Sequence, residues 1–112
     1  MRYAVPVTDG KLSAHFGHCQ YFAMIDVDEA KGIILNQEVV PSPGHQPGLL
    51  PTWLAEEGVS VVIAHGMGSR AQSLFEENRI QVIIGTIEDD PDKVVLDCMR
   101  GILATGDNIC DH

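Results

Sequence analysis

A single α/β domain, with a mixed five-stranded sheet flanked by helices, is the fold the sequence predicts, and three observations predict it. Short β-rich runs split by polar turns fill the first forty residues, and from Leu49 onward helical and β-branched segments alternate. The length of 112 residues, with 45% hydrophobic and 21% charged side chains, suits one buried core and not two.

Tyr3 to Val7 reads as the first strand, with Pro6 near its end, where a missing ladder donor is tolerated. The polar stretch from Thr8 to Gln20 is expected to be loop. Tyr21 to Val27 and Gly32 to Val40 flank a short polar connection and read as a hairpin. Pro41 to Gly48 holds too many breakers for anything but loop. Leu49 to Glu57 is expected as a short helix, with Pro51 in its first turn and Gly58 as its stop. Val59 to Ala64 is an apolar strand of the kind buried on both faces. The turn His65-Gly-Met-Gly leads through Ser69, a candidate N-cap, into a helix reaching about Asn78. Ile80 to Ile84 is the last strand, and Pro91 to Thr105 the last helix, capped by Asp90 and ended by Gly106. The domain so drawn covers residues 1–106 and leaves 107–112 as a tail.

This order has a geometric consequence. If the first three strands run up, down and up, right-handed crossovers make the later strands parallel to the first. The loops after strands one, three, four and five then share one edge of the sheet. His15, His18, His45 and His65 meet there with Cys19 and Met67, at the carboxyl edge where open α/β sheets bind ligands.

Composition narrows the function classes. Sixteen acidic against seven basic residues give a net charge of −9, which opposes nucleic-acid binding. No apolar run approaches the ~18 residues of a membrane span, and no signal region follows Arg2 and Tyr3, so a cytoplasmic protein is expected. Three cysteines, Cys19, Cys98 and Cys110, are a poor disulfide set and fit free thiols, one of them available to metal.

The segment from His15 to Cys19 places two imidazoles and a thiol within five positions, a donor set that suits zinc, copper or iron–sulfur centres better than calcium or magnesium. Gly17 lets the backbone approach a bound group. A second pair of ligands at zinc-finger spacing is missing, and a solvated loop with Phe16 tucked into the core stands as the alternative. His65, Gly66, Met67 and Gly68 open a helix, so their amides form an anion cradle to which Arg70 adds charge. Neither a Walker lysine nor a dinucleotide glycine pattern is present, and a tight turn with Met67 filling a gap is the other account. His45 is a lid ligand or a surface histidine.

Cys98 shares a helical face with Val94, Val95 and Ile102 and reads as a buried structural thiol. Cys110 and His112 either fold back onto a metal or fray with the terminus. Asp26 and Asp28 fall on one strand face, which raises metal-dependent hydrolysis using Asp9, Asp26 and a histidine. The run from Glu88 to Asp92 reads as a solvated turn that also charges the last helix favourably.

Three segments together resemble the dinitrogenase iron-molybdenum cofactor biosynthesis family, small proteins like NifX, the C-terminal part of NifB and the orange protein that carries a molybdenum–copper sulfide cluster. They are Tyr3-Ala-Val-Pro-Val-Thr-Asp-Gly, His15-Phe-Gly-His-Cys-Gln-Tyr-Phe and Ala64-His-Gly-Met-Gly-Ser-Arg-Ala. The resemblance spans nearly the whole chain. It implies a ribonuclease-H-like fold without nuclease activity, which binds a preformed metal–sulfur cluster, iron–sulfur or molybdenum-containing, and stores it or passes it to a protein partner. The family's histidine-phenylalanine-glycine motif falls on His15, Phe16 and Gly17, and its glycine turn on Gly66, Met67 and Gly68. This chain carries His18 where arginine is common and His65 where many relatives have glycine, and each adds a possible ligand. The expected function is therefore a non-enzymatic cluster carrier, with a small metal-dependent hydrolase or a metal-free interaction domain as alternatives.

Overall fold

The computed structural model describes residues 1–14, 16, 19–44 and 48–101. Among them a six-stranded mixed sheet is built from Arg2–Thr8 (β1), Lys11–Leu12 (β2), Tyr21–Asp28 (β3), Ile33–Pro41 (β4), Val61–Ile63 (β5) and Gln81–Ile83 (β6). The helices are Leu49–Glu56 (α1), Ser69–Glu77 (α2) and Pro91–Met99 (α3). The strand order is β4-β3-β1-β5-β6, with β2 paired to β1 alone. β3 runs antiparallel to both β1 and β4, while β5 and β6 run parallel to β1. The four loops that follow β1, β4, β5 and β6 therefore lie at one edge.

The sheet has six strands where five were expected, because Lys11 and Leu12 pair with Thr8 and Val7 across Asp9-Gly10. Both turn residues have positive φ, 54° and 81°, the geometry of a two-residue hairpin whose twist matches its strands. The stretch expected as loop from Thr8 thus opens with a hairpin. Leu12 is buried, and its N–H donates to the Asp89 carbonyl at 2.9 Å, tying this hairpin to the segment before α3.

Alternation along the strands sends side chains into two cores. Ala4, Phe22, Met24 and Val62 pack beneath α1 and α2 with Leu54 and Phe75. Tyr3, Val5, Ala23, Ile25, Val61 and Ile63 pack against Val94 and Val95 of α3. Burying β1 and β5 on both faces accounts for their continuous apolar sequences.

The strands shift by one or two residues from expectation, Pro41 joining β4 and β5 shortening to three residues, and two helix boundaries carry a physical reason. Ser69 is the first residue of α2, and Gly68, in extended conformation, takes the N-cap position with no side-chain hydrogen bond. α3 ends at Met99, short of Thr105, because Arg100 caps it and Gly101 turns left-handed at φ 73°. Asp90 caps α3 as expected, accepting from the Asp92 N–H at 3.0 Å.

Candidate functional site

Phe16 anchors the loop that follows β2. It is buried, and its ring meets Phe22 of β3 and Phe75 of α2 edge-on, with centroids 5.6 and 5.3 Å away. Such contacts add to the area a phenylalanine buries and fix the loop against both sheet and helix. The other residues of that motif, His15, Gly17 and His18, lie outside the described residues.

Cys19 belongs to the same core and is 3% exposed. Burial pushes its thiol up to about 11. Ser42 opens the loop after β4, and its N–H donates to the Gln20 carbonyl at 3.0 Å, holding the first two edge loops together. Its hydroxyl is buried without a hydrogen-bond partner among the described residues. His45, further along that loop, lies outside them.

The third loop starts at His65. Its Nδ1 meets the Thr86 carbonyl and its Nε2 the Asp89 carboxylate at 2.8 Å. Both ring nitrogens thus face oxygen atoms of the fourth loop. The imidazole bolts the third loop to the fourth, and the Gly85 N–H bonded to the His65 carbonyl at 2.8 Å reinforces the link. A metal at Nε2 has to displace Asp89. Beside it the Thr86 hydroxyl is buried and unpartnered among the described residues.

Gly66 and Met67 are buried, and the Met67 carbonyl accepts from Gln72 Nε2 at 2.9 Å. Gly68 then starts α2 with no cap, no acidic residue occupies the first turn, and Arg70 sits there exposed. Among the described residues the first-turn amides and the positive end of the helix dipole are left without a capping carboxylate. A β-carbon added at Gly68 meets nothing within 4 Å, so the apoprotein's packing does not demand glycine at that position. Chemically, this corner can receive an anionic group.

The carboxylates proposed for hydrolysis do not come together. Asp26 pairs with Arg2 at 2.9 and 3.2 Å, at the start of β1, while Asp9 lies in the turn at its far end. The hydrogen bond from Arg2 holds the Asp26 carboxyl below its ordinary range. Asp26 and Asp28 do share a face of β3, since Val27 continues the alternation into the core of Ala23 and Ile25, but Asp26 is taken up by Arg2 and Asp28 accepts from the Lys31 N–H. Among the described residues no three histidine, cysteine or acidic side chains are grouped to hold a metal ion. Cys98 is half-buried; burial raises its thiol, and a hydrogen bond from Tyr3 opposes that rise. Ile102, Cys110 and His112 lie outside the described residues.

Sequence reasoning missed the part played by Asp89, read only as one acid in a solvated run, and the buried hydroxyls of Ser42 and Thr86. The Asp9-Gly10 pair between β-formers was the available signal for the hairpin; nothing local marked the other three.

The family model described as "Dinitrogenase iron-molybdenum cofactor" matches residues 1–101. An uncharacterized protein of Methanocaldococcus jannaschii is 31% identical over 87 residues, 73% of this chain and 72% of that protein. The crystal structure of PH0822 superposes with a TM-score of 0.85 at 30% identity, covering 94% of each chain. The apo form of the orange protein from Desulfovibrio gigas shares the fold, with a TM-score of 0.70 at 23% identity over 96% of this chain and 93% of that one.

Proposed function

The chain belongs to the dinitrogenase iron-molybdenum cofactor family, and on that premise we propose that it is a non-enzymatic carrier that binds a preformed metal–sulfur cluster and stores it or hands it to a protein partner. The uncapped start of α2, with Arg70 in its first turn, carries this reading. In a chain with sixteen acidic residues, an uncompensated positive helix end beside a thiol-bearing loop suits an anionic sulfide cargo.

In this reading Cys19, His15 and His18 supply bonds to iron or molybdenum, with His45 and His65 as further donors. Sulfides rest against the amides of Gly66, Met67 and Gly68 and against Arg70, while Phe16 and Gly17 shape the loop. Cys19 has to lose its proton and turn out of the core to bond a metal, so loading is coupled to movement of that loop. The finer assignments that travel with the proposal are a ribonuclease-H-like sheet, a cytoplasmic location and a protein donor or recipient. No helix among the described residues is long and apolar enough to cross a membrane.

Anaerobic reconstitution with iron, molybdate and sulfide, followed by metal analysis and an absorption spectrum, tests the proposal. Wild type retains a coloured cluster, and the Cys19→Ala, His15→Ala double variant loses it. Unchanged retention in the double variant would sink the ligand assignment.

A further inference from the structure

On the α3 face of the sheet, β3 and β4 extend beyond the helix that covers them. Ala23 and Ile25 are buried there, whereas Tyr21 is 43% exposed and Val39, the cross-strand partner of Ala23, 57%. A groove of about 590 Å³ lies over Tyr21, Ala23, Val39 and Gln37. Three carboxylates rim it: Asp9 from the β1–β2 turn, and Asp90 and Asp92 from the start of α3. No lysine, arginine or histidine is among its lining residues, and none of the three aspartates enters an ion pair among the described residues.

The carboxylates rim the groove from two segments, the β1–β2 turn and the start of α3, and belong to no metal-binding group among the described residues. Their complement is therefore an extended cation with apolar parts. The neighbouring backbone defines it further. β4 is the nine-residue edge of the sheet, its outer side is unpaired among the described residues, and Glu38 is its one charged residue. Such an edge presents a row of free amides and carbonyls to another strand. We infer that this face docks an extended segment of a partner protein, added to β4 as a further strand, whose same-face positions alternate between apolar and lysine or arginine side chains. The apolar positions cover Val39 and Tyr21, and the cations face Asp9, Asp90 and Asp92.

The apoprotein suffices for the experiment, so its outcome is independent of cluster binding. The probe is a blocked peptide of Thr-Val-Thr-Lys repeated twice, titrated into the ¹⁵N-labelled chain. Amide shifts are expected at Tyr21, Gln37, Val39 and Asp92. The Asp9→Asn, Asp92→Asn pair weakens binding several-fold, a peptide with glutamate for lysine fails to bind, and the Glu76→Gln, Glu77→Gln pair on α2 leaves binding unchanged. Equal weakening by the α2 pair, or shifts scattered over the acidic surface, overturns the inference in favour of bulk charge attraction. Concentration-dependent broadening along β4 with no response to peptide overturns it in favour of a second copy of the chain.

Discussion

Two helices start at the same edge of the sheet and are finished in opposite ways. α3 has Pro91 in its first turn, the Asp90 carboxylate on the Asp92 N–H, and Glu88 accepting from the amides of Asp89 and Asp90. Hydrogen bonds from those amides and from Lys93 hold the Glu88 carboxyl below its ordinary range. α2 starts at an uncapped glycine with an arginine in its first turn, where a cation opposes the helix dipole. The protein thus neutralises the α3 end with its own acids and leaves α2, like α1, without a side-chain cap or a first-turn acid; of these two, α2 alone also sets a cation there. Stability favours the first arrangement, so the second calls for another explanation, and an external anion supplies one.

The largest expected effect concerns what supports the open end. Phe16→Ala removes the ring that joins the loop to Phe22 and Phe75, and costs roughly 3–5 kcal/mol of unfolding free energy. Denaturant titration measures it; a loss under 1 kcal/mol would mean that the loop is not anchored through Phe16. Next comes Cys19. The unfolded thiol ionises near its ordinary 9.0, whereas burial raises the folded value to about 11. The folded state therefore keeps a proton that the unfolded state releases, and stability present below pH 9 declines as the pH rises toward 11. Tyr3, raised by burial to about 12, adds its own alkaline loss. Comparing wild type with Cys19→Ala across this window isolates the thiol; equal slopes would show that Cys19 is not buried in solution.

The contrast between the two helix starts was half legible in the sequence. Asp90 before Pro91 announced a cap because the chemistry is local: a carboxylate, a fixed φ and an amide two residues on. Ser69 misled for the same reason, since the residue type suits a cap but the chain enters the helix one residue earlier. The sharing of one edge by four loops followed from strand directions alone. What the loops do to one another did not, because His65 reaches Asp89 across 24 positions and Ser42 reaches Gln20 across 22. Pairings at that separation exist only once the sheet is assembled. Cys19 was legible as a thiol near histidines but not as a core residue, because its burial depends on aromatic neighbours from β3 and α2.

Smaller effects sharpen the comparison at the helix ends themselves. Asp90→Ala removes the α3 cap and costs about 1 kcal/mol, while Asp90→Asn, which still accepts from the Asp92 N–H, restores most of it. Thermal melts of the three proteins decide this, and equal melting of wild type and Asp90→Ala would refute the cap.

Gly68→Ser makes the matching change at α2. The backbone there is already extended, as an N-cap requires, and the added β-carbon finds open space. A serine oxygen can then accept from a first-turn amide, and the apoprotein gains a few tenths of a kcal/mol. The same hydroxyl takes up a first-turn amide and stands at the open helix start beside Arg70, where the anion reading seats the cluster, so reconstituted protein retains less metal even as its apo form melts higher. A purely structural role for this turn moves both quantities together. Opposite signs in the two measurements are the signature of a helix start left open for its cargo.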